Sequence, residues 1–107
     1  MIRIVIADDS EFFLNVLKGK IESSGKIQVV GSARNGQEAL DLVKQTKPDL
    51  LVLDCQMPVM DGLECLRRIK HQGVIPVLML SALTYEGART TIQDLEYGAA
   101  EFLHKPT

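Results

Sequence analysis

Short apolar segments rich in β-branched residues alternate with amphipathic segments, and this alternation constrains the fold more than any other feature of the chain. Near-continuous apolar strands separated by helices are typical of a parallel sheet that helices cover on both faces. Right-handed crossovers place those helices in two layers. The third strand is the most apolar, so we expect it to be central. The predicted strands are residues 2–7, 27–32, 50–53, 77–80 and 100–104.

Four amphipathic segments between these strands are predicted to be helices. Ser10 can cap a first helix over about residues 11–23, which Gly25 ends. Asn35-Gly36 predicts a turn before the second helix, and Thr84 can cap the fourth. The apolar stripes are Phe13, Leu17 and Ile21, then Ala39, Leu40 and Val43, then Leu63, Leu66 and Ile69, and finally Ala88, Ile92 and Leu95.

Length and composition indicate one ordinary globular domain. The chain has 107 residues and a formal net charge of -2, so its charge gives no indication of nucleic-acid or anionic-membrane binding. No apolar run is long enough for a signal peptide or a bilayer span, and we expect a cytoplasmic protein without membrane insertion. Cys55 and Cys65 lie ten residues apart without CxxC spacing and are predicted to be free thiols in a reducing cytoplasm. A zinc site would need more ligands, and His71 and His104 are too scattered to supply them.

Polar residues follow four of the five predicted strands at their carboxyl ends. In a parallel sheet these ends share one edge, and ligands bind there where the strand order reverses. The sequence therefore predicts three carboxylates, a hydroxyl and an ammonium at one site. These groups belong to Asp8 and Asp9 after the first strand, Asp54 after the third, Ser81 after the fourth and Lys105 after the fifth.

This set of groups suits phosphoryl transfer to a carboxylate. A hard cation such as Mg2+ relieves repulsion between clustered carboxylates, and a carboxylate can act as a nucleophile toward phosphorus. Lys105 and Ser81 could then contact phosphoryl oxygens. Taken singly, each residue also has a structural interpretation: the aspartates as cap or turn formers, Ser81 as a cap and Lys105 as a solvated lysine. Their common position at the ends of the strands favours the functional interpretation.

The motifs that carry these residues closely resemble the receiver domains of bacterial two-component response regulators, over nearly the whole chain. They are Ala7-Asp8-Asp9-Ser10, Leu53-Asp54, Met57-Pro58, Met60-Asp61-Gly62, Ser81-Ala82, Gly98-Ala99 and Lys105-Pro106. The resemblance implies a flavodoxin-like sheet of strand order 2-1-3-4-5. It also implies a signalling switch that accepts a phosphoryl group from a sensor histidine kinase.

The resemblance further implies a role for each matching residue. Asp54 matches the phosphoacceptor. Asp9, Asp54 and the backbone carbonyl of Gln56 match direct ligands of Mg2+ (or Mn2+), while Asp8 matches a ligand acting through water. Ser81 and Lys105 match the residues that contact the phosphoryl group. Ser81 also matches the switch hydroxyl, and Phe102 matches its aromatic partner.

The residues downstream of Ser81 resemble the receiver of the chemotaxis protein-glutamate methylesterase, in which a catalytic domain follows in the same chain. The matching residues are Ser81-Ala82-Leu83-Thr84, Gly87-Ala88, Thr91, Leu95, Gly98-Ala99, Phe102 and Lys105-Pro106, together with Ala33-Arg34-Asn35-Gly36. Gln56 departs from the acidic residue common there. The sequence contains no G-x-S-x-G motif, so we expect no esterase within residues 1–107.

Other functions remain open on the sequence alone. They include a stand-alone receiver, a receiver joined to a DNA-binding output, an aspartate-nucleophile phosphatase of the haloacid dehalogenase type, and a flavodoxin-like cofactor module. The phosphatase family has Asp-x-Asp after its first strand, whereas Asp8 and Asp9 are adjacent. The flavin module needs a phosphate-cradling loop there, where this acidic pair would repel the phosphate.

The family pattern includes a fifth helix after Lys105-Pro106, and the sequence reaches Thr107. We therefore expect residues 1–107 to be a receiver domain without its last helix and without an output domain, taken from a longer protein. Without that helix, apolar residues of the first and fifth strands would have less cover, which favours self-association.

Overall fold

Five parallel strands form one sheet in the order β2-β1-β3-β4-β5, the order that the family resemblance implies. The structure is a computed structural model that describes residues 1–54, 57–60, 62–72, 75–81 and 100–104, with the backbone alone at 63, 70, 72, 81 and 100–104. The elements are β1 Ile2–Ala7, α1 Glu11–Glu22, β2 Ile27–Ala33, α2 Gly36–Thr46, β3 Leu50–Asp54, α3 Gly62–Gln72, β4 Val77–Ser81 and β5 Ala100–His104.

Helices cover both faces of the sheet, and each face has its own apolar core. On one face α1 packs through Leu14, with Phe13, Leu17 and Ile21 beside it, against Ile6 and neighbouring strand residues. On the other face α2 and α3 contribute buried residues that include Ala39, Leu40, Leu66 and Ile69. The predicted stripes of α1 and α2 therefore face the core, although the fully buried Leu14 was not among them.

The most apolar strand is central, as predicted. Its residues Leu51 and Leu53 have no exposed surface. β3 lies between β1 and β4, with Ala7 opposite Leu53 and Asp54 opposite Leu80. Burial on both faces explains why this strand has no polar residue before its last position. Asp54 is that last residue, so the strand ends one residue later than the sequence predicts.

The prediction of a turn at Asn35-Gly36 is wrong in one respect. Asn35 is the N-cap of α2 and Gly36 is the first helical residue. The Asn35 side-chain oxygen accepts a hydrogen bond from the Glu38 N–H at 2.9 Å, which satisfies an N–H that has no partner within the helix. Ser10 caps α1 as predicted, and its Oγ accepts from the Phe13 N–H at 3.2 Å.

Several predictions fall outside the part of the chain that the structure describes. They are the fourth helix with its Thr84 cap, Cys55 and the segment after His104. Within the described residues Cys65 is buried outside any disulfide, and its Sγ donates to the Gly36 carbonyl at 3.5 Å. None of the helices described there combines the length and apolar character that a membrane span requires.

Candidate functional site

Three carboxylates converge at the carboxyl ends of β1 and β3. Asp54 is the last residue of β3, and Asp8 is the first residue after β1. Because these strands are neighbours, with Ala7 opposite Leu53, Asp8 and Asp54 come to the same edge of the sheet. Carboxylate oxygens of Asp8, Asp9 and Asp54 all lie within 4.8 Å of one another. The geometry thus brings together the three acids that the sequence singles out.

Burial distinguishes these acids from ordinary surface aspartates. Asp8 is 1% exposed and Asp54 is 4% exposed, whereas Asp9 lies at the surface. Burying a carboxylate is costly unless it is hydrogen-bonded or compensated by positive charge. Two buried acids beside a third therefore concentrate negative charge at this edge of the sheet, an acidic pocket that Asp9 extends to the surface.

The turn between β1 and α1 holds Asp8 in place. The Asp8 N–H donates to the Ala33 carbonyl at 3.0 Å, which ties the turn to β2. One carboxylate oxygen of Asp8 accepts from the Ser10 N–H at 2.8 Å. Ser10 is the N-cap of α1, and the N-terminal end of that helix carries partial positive charge. The short segment Asp8-Asp9-Ser10 therefore supplies two acids and a helix start within one turn.

The loop after β3 is anchored to the start of α2. The Gly36 N–H donates to the Met60 carbonyl at 2.8 Å, and Met57 and Met60 are buried. A Cβ on Gly36 would lie 2.4 Å from that carbonyl oxygen, so only glycine fits there. Val59 has a left-handed backbone with φ of 67° and is 85% exposed. The sequence analysis did not identify this contact between the loop and α2.

A basic residue at the rim of the acidic pocket was also missed as a functional residue. The Arg34 Nη2 donates to the Asp9 carbonyl at 3.3 Å. Its Nη1 lies 3.7 Å from a carboxylate oxygen of Glu11. The partners are distant in sequence, and no motif within the chain signals the contact.

The remaining predicted site residues are described only in part or not at all. Ser81 is the last residue of β4, and its backbone lies opposite His104 of β5, at the same edge of the sheet as Asp54. The backbone of Phe102 lies opposite Met79. The side chains of Ser81 and Phe102, and the whole of Gln56 and Lys105, lie outside the described residues.

The donor set fits the metal that the sequence predicts. Three carboxylates offer hard oxygen ligands from two strand ends, which is the chemistry that Mg2+ and Mn2+ select. Three protein carboxylates do not fill the octahedral shell around Mg2+, which retains several water ligands when it binds to proteins.

A family model for the response regulator receiver domain matches residues 4–107. The chain belongs to this family. This assignment agrees with the resemblance in the sequence and gives no support to the phosphatase or flavin-module alternatives. It also agrees with the strand order of the sheet.

The receiver domain has curated relatives among protein-glutamate methylesterases/protein-glutamine glutaminases. It is 48% identical over 106 residues to the protein from Pyrococcus abyssi, covering 99% of this chain and 29% of the relative. It is 47% identical over 107 residues to the protein from Bacillus licheniformis, covering 100% and 30%. The chain therefore spans less than a third of the length of these relatives.

Solved structures show the same fold. The response regulator domain of Thermotoga maritima CheB has a TM-score of 0.89 and 42% identity, covering 99% of this chain and 79% of that one. A chain in the CheX-CheY-BeF3-Mg2+ complex from Borrelia burgdorferi has a TM-score of 0.86 and 32% identity, covering 99% and 79%. Both matches extend along nearly the entire receiver domain.

Proposed function

We propose that this receiver domain is a phosphorylation-dependent signalling switch that accepts a phosphoryl group on Asp54. The observation that carries the proposal is the place of Asp54. It is a buried carboxylate at a strand end, within 4.8 Å of the Asp8 and Asp9 carboxylates. Membership of the receiver family supports the same role.

The proposed reaction is an in-line transfer from a phosphorylated histidine of a sensor kinase. A carboxylate oxygen of Asp54 attacks the phosphorus, and a new O–P bond forms as the N–P bond to the imidazole breaks. The electron pair of that bond returns to the imidazole nitrogen, which takes up a proton. The end of β3 fixes the backbone of Asp54 on a rigid element, and its burial limits the positions that its carboxylate can take.

Asp9, Asp54 and the Gln56 carbonyl would hold Mg2+ directly, and Asp8 would hold it through water. Bound Mg2+ supplies positive charge that offsets the carboxylates and the incoming phosphoryl oxygens. The presence of Mg2+ in the related Borrelia complex supports this choice, and Mn2+ has the same ligand preference. Asp8 is oriented for its role by the Ser10 N–H.

Ser81 and Lys105 complete the proposed site. The Lys105 ammonium would pair with one phosphoryl oxygen, and the Ser81 hydroxyl would donate to another. Ser81 is also the proposed switch residue, with Phe102 as its aromatic partner. Support comes from the position of the Ser81 backbone at the edge that carries Asp54.

The proposed output is a chemotaxis methylesterase domain that follows in the same protein. Its support is the series of methylesterase relatives, of which this chain covers the receiver portion. In that setting the kinase would be the chemotaxis kinase, and the domain would act without direct contact with nucleic acid. The coding sequence beyond Thr107 tests this: a DNA-binding domain there would overturn the methylesterase assignment.

Labelling with a small phosphoryl donor tests the switch itself. We expect acetyl phosphate with Mg2+ to add one phosphoryl group to the wild-type chain, as read by intact mass, and chelation of Mg2+ to suppress it. Asp54→Asn should not be labelled. Asp41→Asn is the matched control, because Asp41 is an exposed aspartate of α2 outside the carboxylate cluster. Equal labelling of Asp54→Asn and wild type would contradict the proposal.

A further inference from the structure

The Arg34 side chain bridges the two loops that flank the acidic pocket. Its Nη2 donates to the Asp9 backbone carbonyl at 3.3 Å. Its Nη1 lies 3.7 Å from Glu11 Oε2, an exposed ion pair that solvent screens. The hydrogen bond to Asp9 is therefore the contact with a structural consequence at the site.

The backbone of Arg34 is fixed by the first turn of α2. The Arg34 N–H donates to a carboxylate oxygen of Glu38 at 2.9 Å, and Asn35 caps the helix through the Glu38 N–H. The preceding residue, Ala33, accepts from the Asp8 N–H at 3.0 Å. Two adjacent residues thus hold Asp8 and Asp9: Ala33 at the end of β2 through its backbone carbonyl, and Arg34 through one side-chain nitrogen.

Asp9 needs this support more than the other two acids. Asp8 and Asp54 are buried, while Asp9 is exposed. An exposed carboxylate loses conformational freedom when it binds a cation, and a restraint on its backbone reduces that loss. Partners outside the direct ligand set orient ligands in this way in many metal sites.

We propose that Arg34 is a positioning residue for Mg2+ binding, acting through the Asp9 backbone; this rests on the proposed function. The guanidinium also has an opposing effect, because its positive charge disfavours a cation nearby. Since the Arg34 side chain is 57% exposed, water screens that repulsion. The Arg34–Asp9 hydrogen bond then outweighs the repulsion between the guanidinium and Mg2+. Its removal by substitution weakens Mg2+ binding by about three- to tenfold.

Calorimetric titration of the chain with MgCl2 tests the inference with three variants. Arg34→Met removes every side-chain donor but keeps the backbone N–H to Glu38, so α2 stays capped. Arg34→Lys keeps the charge and one donor, and should recover part of the affinity. Arg67→Met is the control, because Arg67 is a similarly exposed arginine paired with Glu64 on α3.

A kinetic readout separates positioning from general damage to the fold. In acetyl phosphate labelling, Arg34→Met should need about three- to tenfold more Mg2+ for half-maximal rate, with the maximal rate unchanged. Melting without Mg2+ should remain a single cooperative transition, with only the small decrease expected from the loss of one exposed hydrogen bond. If Arg34→Met does not fold, Arg34→Gln serves instead, because the shorter glutamine side chain does not extend to the Asp9 carbonyl.

The Mg2+ affinities of the three variants decide whether Arg34 positions Asp9. Weaker Mg2+ binding in Arg34→Met, partial recovery in Arg34→Lys and no change in Arg67→Met support the inference. Unchanged or tighter binding in Arg34→Met overturns it, as does an equal loss in Arg67→Met. A wild-type chain that neither binds Mg2+ nor labels at Asp54 instead overturns the proposed function.

Discussion

Each aspartate in the acidic pocket lowers the stability of the metal-free domain and contributes a ligand group for a cation. Asp8, Asp9 and Asp54 have carboxylate oxygens within 4.8 Å of one another, so without a metal their charges repel. In Asp8→Asn the side-chain oxygen can still accept from the Ser10 N–H, while one charge disappears. We expect a gain of about 1 kcal/mol without Mg2+, which raises the melting temperature by about 4–8 °C.

The same variant should lose the stabilisation that Mg2+ gives to wild type. A ligand that binds only the folded state raises the melting temperature by mass action. Scanning calorimetry with and without MgCl2 measures both effects, with Asp41→Asn as the control that behaves like wild type. An Asp8→Asn protein that melts like wild type without metal and is equally stabilised by Mg2+ would contradict the account.

The sequence alone identified some of the residues around the acidic pocket and missed others. The three acids were found because each follows an apolar strand, and parallel strands bring their carboxyl ends to one edge. Arg34 was not found, because its partner Asp9 lies 25 residues away and exposed arginines give no local signal. The buried Leu14 was missed for a different reason, since the stripe chosen for α1 followed i, i+4 spacing alone.

Among the elements, α2 depends on a close contact at its first residue. Gly36 packs against Met60, and an added Cβ would lie 2.4 Å from a backbone oxygen and 2.8 Å from Met60 Cγ. Gly36→Ala should therefore lower the free energy of unfolding by about 1–3 kcal/mol. It should also slow labelling of Asp54, because the loop after β3 is anchored there by the Gly36–Met60 hydrogen bond.

Gly19→Ala is the matched control for this substitution. Gly19 lies within α1, and a Cβ there would meet nothing within 4 Å. Alanine should stabilise the helix by about 0.5–1 kcal/mol, because it loses less backbone entropy than glycine on folding. Urea unfolding at equilibrium measures both variants. Two alanine variants that shift stability in the same direction would show that the contact with Met60 does not matter.

Element boundaries follow the sequence within a residue where the pattern is apolar. β2, β3 and β4 each run one residue beyond the predicted strand, since a polar or small last residue still continues the ladder. The start of α2 was misjudged as a turn, although Asn35 followed three residues later by Glu38 is a capping pattern. The Gly36–Met60 contact had no sequence signal, because it joins segments from different strand–helix units.

At the scale of the whole molecule, the sheet connects Asp54, the proposed phosphoacceptor, to β5 through β4. Asp54 lies opposite Leu80, the next residue Ser81 lies opposite His104, and Phe102 pairs with Met79. A hydrogen bond from Ser81 to the phosphoryl group would favour one state of this edge over another. With Mg2+ and beryllofluoride, we expect NMR shifts to change at Ser81 and Phe102 but not at Val16 on α1. Unchanged shifts near Phe102 would argue against the coupling.

The layered parallel sheet was accessible from the sequence because its signals agree with one another. Apolar strands and intervening amphipathic helices indicate a parallel sheet with helices on both faces. The family resemblance adds the order β2-β1-β3-β4-β5, which the structure has. The proposed output was not accessible in the same way, because its support comes from relatives and not from residues 1–107. The chain covers less than a third of the length of the methylesterase relatives.

The central claim is that Asp54 is the residue that accepts the phosphoryl group. Chemical trapping of the aspartyl phosphate tests this claim most directly. After labelling with acetyl phosphate and Mg2+, borohydride reduces an aspartyl phosphate to homoserine, and peptide mass spectrometry then locates the altered residue. We predict homoserine at position 54 alone in wild type, and none in Asp54→Asn. Homoserine at Asp8 or Asp9 in wild type, or trapping that persists in Asp54→Asn, would contradict the account.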